Sequence, residues 1–161
     1  MVARFLLLLG LATALHAAPE YPKMGPDIYD PRADGNALVT AALGRARAEH
    51  KNVLLMFGAN WCIWCHRLHA TFETNLQVAS LLHANYELVM IDVNRRHGVA
   101  RNADLDARYG NPTRFGLPVL VVLDSAGKQL TTKDSGELEN GRDGHDPAKV
   151  AAFLEKWRPR A

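Results

Sequence analysis

The sequence predicts an α/β fold in which helices flank a central mixed sheet. Three observations carry that expectation. Two apolar strands, 52–58 and 86–93, show no alternation of polar and apolar residues, the pattern of strands covered on both faces. Stretches with apolar residues three or four apart stand before, between and after them. A β-branched run, 119–123, meets the turn Asp124-Ser125-Ala126-Gly127 and a returning strand, so the last two strands are antiparallel.

The elements follow in order. Residues 1–17 read as a signal peptide: Arg4 is its positive start, Phe5 to Leu15 its apolar run, and Leu15-His16-Ala17 a cleavage signal, with Ala12-Thr13-Ala14 as the rival. The run is shorter than the ~20 residues that span a bilayer. Residues 18–33 are a proline-punctuated extended lead-in with room for one short strand. The domain proper takes 34–161. Asp34 caps an alanine-rich helix over 36–50, with Leu38, Ala41, Ala42 and Leu43 inward. The strand 52–58 leads to a turn, and a helix runs from Cys62 to about Phe72. Trp64, Leu68 and Phe72 form its inner stripe, which favours burial of Trp64. Asn75 caps a further helix through Leu76, Val78, Leu81 and Leu82.

After the strand 86–93, residues 94–102 read as a polar, basic loop and 103–109 as a short helix stopped by Gly110 and Pro112. Arg95, Arg96, Arg101, Arg108 and Arg114 fit a solvated surface better than a partner-binding rim. The strand 119–123 pairs through its turn with 128–133. Residues 134–145, rich in glycine and charge, read as a surface loop. Asp146 and Pro147 open a last helix whose inner face is Val150, Phe153, Leu154 and Trp157.

Composition narrows the function. The chain has 161 residues, 48% apolar and 22% charged, which suits one folded domain. A net charge of +2 gives no argument for nucleic acid. Two cysteines are too few for a disulfide framework, and both lie in Asn60-Trp61-Cys62-Ile63-Trp64-Cys65-His66. This turn places Cys62 at a helix N-terminus, where free N–H groups and the helix dipole favour an anion. The thiolate is the reactive form of cysteine. Cys65, one turn on, shares that helix face and can close a disulfide with Cys62.

Three other readings compete. A static disulfide here would close a tiny loop and restrain little of the unfolded chain. Cys62-Ile63-Trp64-Cys65-His66 also fits C-x-x-C-H, a haem attachment pattern, with Met90 as a distal ligand. Cys62, Cys65, His66 and His69 share a helix face and offer soft ligands for Cu(I) or zinc, but adjacent ligands on one helix rarely close a tetrahedron.

The order of elements and the stretches Phe57 to His66, Thr71-Phe72 with Gln77-Val78, and Gly116-Leu117-Pro118 followed by Leu123-Asp124 resemble the thioredoxin superfamily. Within it the chain is similar to secreted thioredoxin-like proteins and to the periplasmic C-terminal domain of the membrane disulfide interchange protein. The resemblance covers roughly residues 34 to 157. It implies a thioredoxin-like fold and a thiol–disulfide oxidoreductase. It makes Cys62 the nucleophile, Cys65 the resolving cysteine and Pro118 a cis-proline beside the disulfide. Trp61, Leu117 and Pro118 would contact substrate, with the backbone at Pro118 pairing with it as an added strand. Two departures stand out. Met56 takes the place of the buried acid often found six residues before the first cysteine. Ile63-Trp64 replaces Gly-Pro.

The expected activity is thiol–disulfide exchange on exported proteins in a periplasmic or secreted setting. It needs no cofactor and no metal, and the protein is expected to be a monomer drawing electrons from a membrane or soluble donor. His66 and Arg67 are candidate modulators of the thiols. The expected direction is reductant or interchange carrier: Ile63 and Trp64 offer the thiolate little, and a helix terminus alone gives only ~0.3–1 kcal/mol. The absence of a charge at Met56 works the other way. The alternative is a copper-handling or chaperone protein on the same fold.

Overall fold

The computed structural model describes residues 24–160, so the signal-peptide reading lies outside the described residues. The elements are α1 (Gly35–Glu49), β1 (Asn52–Gly58), α2 (Ile63–Thr74), α3 (Leu76–Asn85), β2 (Tyr86–Asp92), α4 (Ala103–Arg108), β3 (Val119–Leu123), β4 (Gln129–Asp134) and α5 (Pro147–Trp157). The sheet order is β2-β1-β3-β4. β1 and β2 run parallel, joined through α2 and α3; β1–β3 and β3–β4 are antiparallel. This is a thioredoxin-like fold with a four-stranded mixed sheet.

Every residue of β1 is buried, as its unbroken apolar sequence requires of a central strand. Its side chains divide by pleat. Val53, Leu55 and Phe57 enter one core with Val39, Ala42 and Ala46 of α1, Leu105 of α4 and Val121 of β3. Leu54 and Met56 enter the other, with Leu68 and Phe72 of α2, Val78 and Leu82 of α3, and Val150 and Leu154 of α5. The cysteines lie in this second core.

Helix ends follow the sequence signals. Asp34 Oδ1 accepts from Asn36 N at 2.9 Å, Asn75 Oδ1 from Val78 N at 3.1 Å, and Asp146 Oδ1 from Ala148 N at 2.8 Å. Each satisfies a donor left over by the first helical turn.

Several expectations need correction. α1 buries Val39, Ala42 and Ala46, while Leu38 and Ala41 are exposed. Small residues on the buried face let the helix approach the sheet closely, so side-chain size rather than apolarity set its rotation. Leu76 is 87% exposed at the first position of α3, which buries only Val78 and Leu82. Trp64 is half-buried rather than fully covered. No strand forms in 24–34. Pro112–Phe115 is a 3-10 turn that periodicity does not signal.

The segment 134–145 is not simply a surface loop. Ser135–Leu138 is a 3-10 turn, and Ser135, Leu138 and His145 are buried. The arginines after β2 are not simply solvated either. Arg95 pairs with the fully buried Asp106, Arg101 Nε lies 3.2 Å from Asp92 Oδ2, and Arg96 covers Trp61.

Candidate active site

β1 ends at Gly58, and the turn Ala59-Asn60-Trp61 delivers Cys62 to the start of α2. Cys62 is the N-cap residue: its backbone is extended and its Sγ lies 3.2 Å from Cys65 N. An orphan N–H thus points at sulfur, an arrangement that favours negative charge there. Cys62 and Cys65 form a disulfide with Cα atoms 5.2 Å apart. Cys62 keeps 5% exposure and Cys65 none, so Cys62 is the sulfur reached first from outside.

The loop before β3 closes over the pair. Leu117–Pro118 is a cis peptide, and Leu117 O lies 3.5 Å from Cys62 Sγ. The sheet explains the approach. β1 and β3 are antiparallel neighbours with Phe57 opposite Val119, so the residue before β3 falls beside the turn after β1. Trp61 flanks the site, its Nε1 donating to Asn94 Oδ1 at 3.0 Å while the Arg96 guanidinium stands 3.4 Å over its ring. Such a cation over an indole is worth roughly 0.5–2 kcal/mol. The basic loop therefore serves to fix Trp61.

The candidate modulators are both turned to other partners. His66 Nε2 lies 2.9 Å from Asn60 O, which selects the tautomer protonated at that nitrogen for donation. The Arg67 guanidinium stands 4.6 Å over the Trp64 ring. His69 Nε2 is 3.9 Å from Glu73. The four proposed metal ligands do not converge: among the described residues, no group of three or more His, Cys, Asp or Glu side chains is placed to hold a metal. A haem ligand at His66 would have to break the bond to Asn60.

Three features escaped the sequence reading. Asn60 clasps the lead-in: its Oδ1 accepts from Ile28 N at 3.0 Å and Tyr29 N at 2.9 Å, and its Nδ2 donates to Tyr29 O at 2.9 Å. Tyr29 is thereby drawn into the core beside the cysteines. The one available signal was an apolar pair, Ile28-Tyr29, between two aspartates in a proline-rich stretch. Next, Asp92 at the end of β2 is buried opposite Gly58, and loss of solvent raises its carboxyl above the usual range. Last, the ring of His145 meets Trp64 edge-on at 5.7 Å. Burial first, and Arg67 second, push its pKa down to about 4.

A disulfide capping a helix N-terminus, with a cis-proline loop against its outer sulfur, defines a thiol–disulfide oxidoreductase of the thioredoxin type. The chain belongs to the thioredoxin-like family, whose model matches residues 36–125. A solved disulphide isomerase from Xylella fastidiosa Temecula1 is 36% identical, covering 80% of this chain and 95% of that one, with a TM-score of 0.69. The C-terminal domain of DsbD from Neisseria meningitidis, in its oxidised form, is 25% identical over 78% of this chain and 97% of that one, with a TM-score of 0.54. A thioredoxin from Thermus thermophilus, 22% identical over 73% of this chain and 81% of that one with a TM-score of 0.52, shares the fold. Comparison with curated proteins finds no match.

Proposed function

We propose that this protein exchanges thiols and disulfides on exported proteins, as a reductant or interchange carrier. The observation that carries the reading is the position of Cys62 Sγ, at the helix cap beside Leu117 O. Reduced Cys62 attacks a substrate disulfide as thiolate. A bond forms between Cys62 and one substrate sulfur, and the other substrate sulfur leaves with the electron pair and takes a proton. Cys65 thiolate then attacks Cys62 Sγ, the mixed disulfide breaks, and the second substrate sulfur leaves reduced. Two electrons pass to substrate, and the Cys62–Cys65 disulfide remains for a donor to reduce.

Trp61, Leu117 and Pro118 form the surface that receives the substrate segment in this reading. Export is supported by the apolar run near the N-terminus and by likeness to a disulphide isomerase and a DsbD domain. The reducing direction rests on how little favours a thiolate at Cys62: the backbone N–H of Cys65 points at its sulfur, but Ile63 is apolar and Arg67 is engaged with Trp64.

Insulin reduction by dithiothreitol tests the activity. The protein accelerates precipitation of the insulin B chain, and Cys62→Ser returns the rate to background. An unchanged rate with the native protein would overturn the reading in favour of a binding protein. Equilibration with glutathione buffers tests the direction: a potential above about −150 mV, towards that of strong oxidants, excludes the reductant.

A further inference from the structure

Tyr29 is 1% exposed, and its hydroxyl has no hydrogen-bond partner among the described residues. A buried hydroxyl left unpaired costs roughly 1–3 kcal/mol, so its position needs a reason. The hydroxyl and the Cys65 sulfur both reach towards Gly58. A Cβ at Gly58 would collide with Tyr29 Oη and, at 2.6 Å, with Cys65 Sγ. The glycine is what lets the two heteroatoms crowd into the space that a side chain there would need. The clasp by Asn60, two residues before Cys62, ties the position of the ring to the redox turn.

The surroundings offer Cys65 few other proton-bearing groups. Met56, fully buried in this core, has none. Asp92 is occupied: its Oδ1 accepts from Asn94 N at 3.1 Å and its Oδ2 faces Arg101, with Asp27 acting on it from the lead-in. His66 is held by Asn60 O. Burial first, and the charge of Asp92 second, raise the Tyr29 phenol above its ordinary range. Tyr29 therefore stays protonated and keeps a proton to donate.

We propose that Tyr29 is a positioning residue for the redox step: its hydroxyl waits unpaired in the disulfide state and donates a hydrogen bond to Cys65 when that sulfur is a thiolate. This rests on the oxidoreductase reading above. When a reductant opens the Cys62–Cys65 bond, Cys65 leaves with the electron pair. A disulfide sulfur is a weak acceptor, and a thiolate is a strong one. No proton moves to Cys65 from Tyr29. In the return step the Cys65 thiolate attacks Cys62 Sγ, the new S–S bond forms, the bond from Cys62 to substrate breaks, and the substrate thiolate takes its proton from water.

The test uses the full chain with Cys62→Ser, which leaves Cys65 as the sole thiol, with and without Tyr29→Phe. The alkylation rate of Cys65 is followed against pH. Asp92, Arg101, Asp27 and His66 are common to both proteins, so their influence cancels. Tyr29→Phe is expected to lower the thiolate fraction on the order of tenfold, the effect of losing one hydrogen bond to a charged sulfur. The urea midpoint should hold or rise, because phenylalanine keeps the packing and removes an unpaired hydroxyl. A folded Phe variant with an unchanged pH profile overturns the proposal, since a merely structural Tyr29 would move stability alone. If the variant does not fold, the hydroxyl proton of Tyr29 in the native protein decides. A downfield NMR shift on reduction supports the bond, and no shift refutes it. Insulin reduction by the native protein reports on the oxidoreductase reading separately.

Discussion

β1 serves two interiors that differ in kind. On the side of α1, Val53, Leu55 and Phe57 meet other apolar side chains, and their neighbours in that core are hydrocarbon with the phenol edge of Tyr109. On the side of α2, the same strand offers Leu54, Met56 and the bare Gly58, and the core there includes two cysteines. That second side also buries Tyr29 Oη and both ring nitrogens of His145 without hydrogen-bond partners among the described residues. The first interior gains stability mainly from packing; at its edge Asp106 is buried but paired with Arg95 and Thr113, and Asn36 Oδ1 of α1 is buried without a hydrogen-bond partner among the described residues. The second gives some of that up by holding polar atoms away from water, a cost expected near a reactive group. One strand thus separates holding the fold from doing the chemistry.

The largest expected effect lies on the plain side. Phe57→Ala should cost about 3–5 kcal/mol of stability through lost burial and the cavity left behind. The glutathione equilibrium of the protein that remains folded should not change. A shifted potential would break the division between the two sides.

A smaller effect separates them by pH. The folded state holds His145 neutral down to about 4, against 6.5 for the free side chain. Between those values the unfolded chain binds a proton that the folded chain does not, so stability falls as pH drops through this window. The loss is complete near the lower value and amounts to at most ~3 kcal/mol. His145→Phe should flatten this part of the urea-midpoint profile. A slope that survives the substitution would place its source elsewhere.

The smallest effect is the control. Asp34→Ala removes the cap of α1 on the plain side and should cost ~1 kcal/mol. Insulin reduction should continue at the native rate, and a slowed rate would show that the two interiors communicate through β1.

Each side was legible in the sequence only in part. The strand 52–58, the strand 119–123 and the capped helix from Pro147 were readable because local pattern and tertiary role agree there. The redox turn was readable because two cysteines at helix spacing carry their own chemistry. The rotation of α1 was not, since leucine out and alanine in inverts the apolar rule for the sake of close approach. His145 hides in a run of charge and glycine, and nothing local marks it as buried. The Tyr29 position was out of reach because the clasp joins positions 31 apart in the chain.

That clasp bears on how such motifs travel. The matched family region begins at residue 36, downstream of the tyrosine that stands behind the inner sulfur. Two proteins could share the five residues from Trp61 to Cys65, and the whole matched region, yet surround that sulfur with different chemistry. Redox character in this chain is therefore not portable with its turn. It is inherited jointly from the turn and from a short stretch that precedes the first helix.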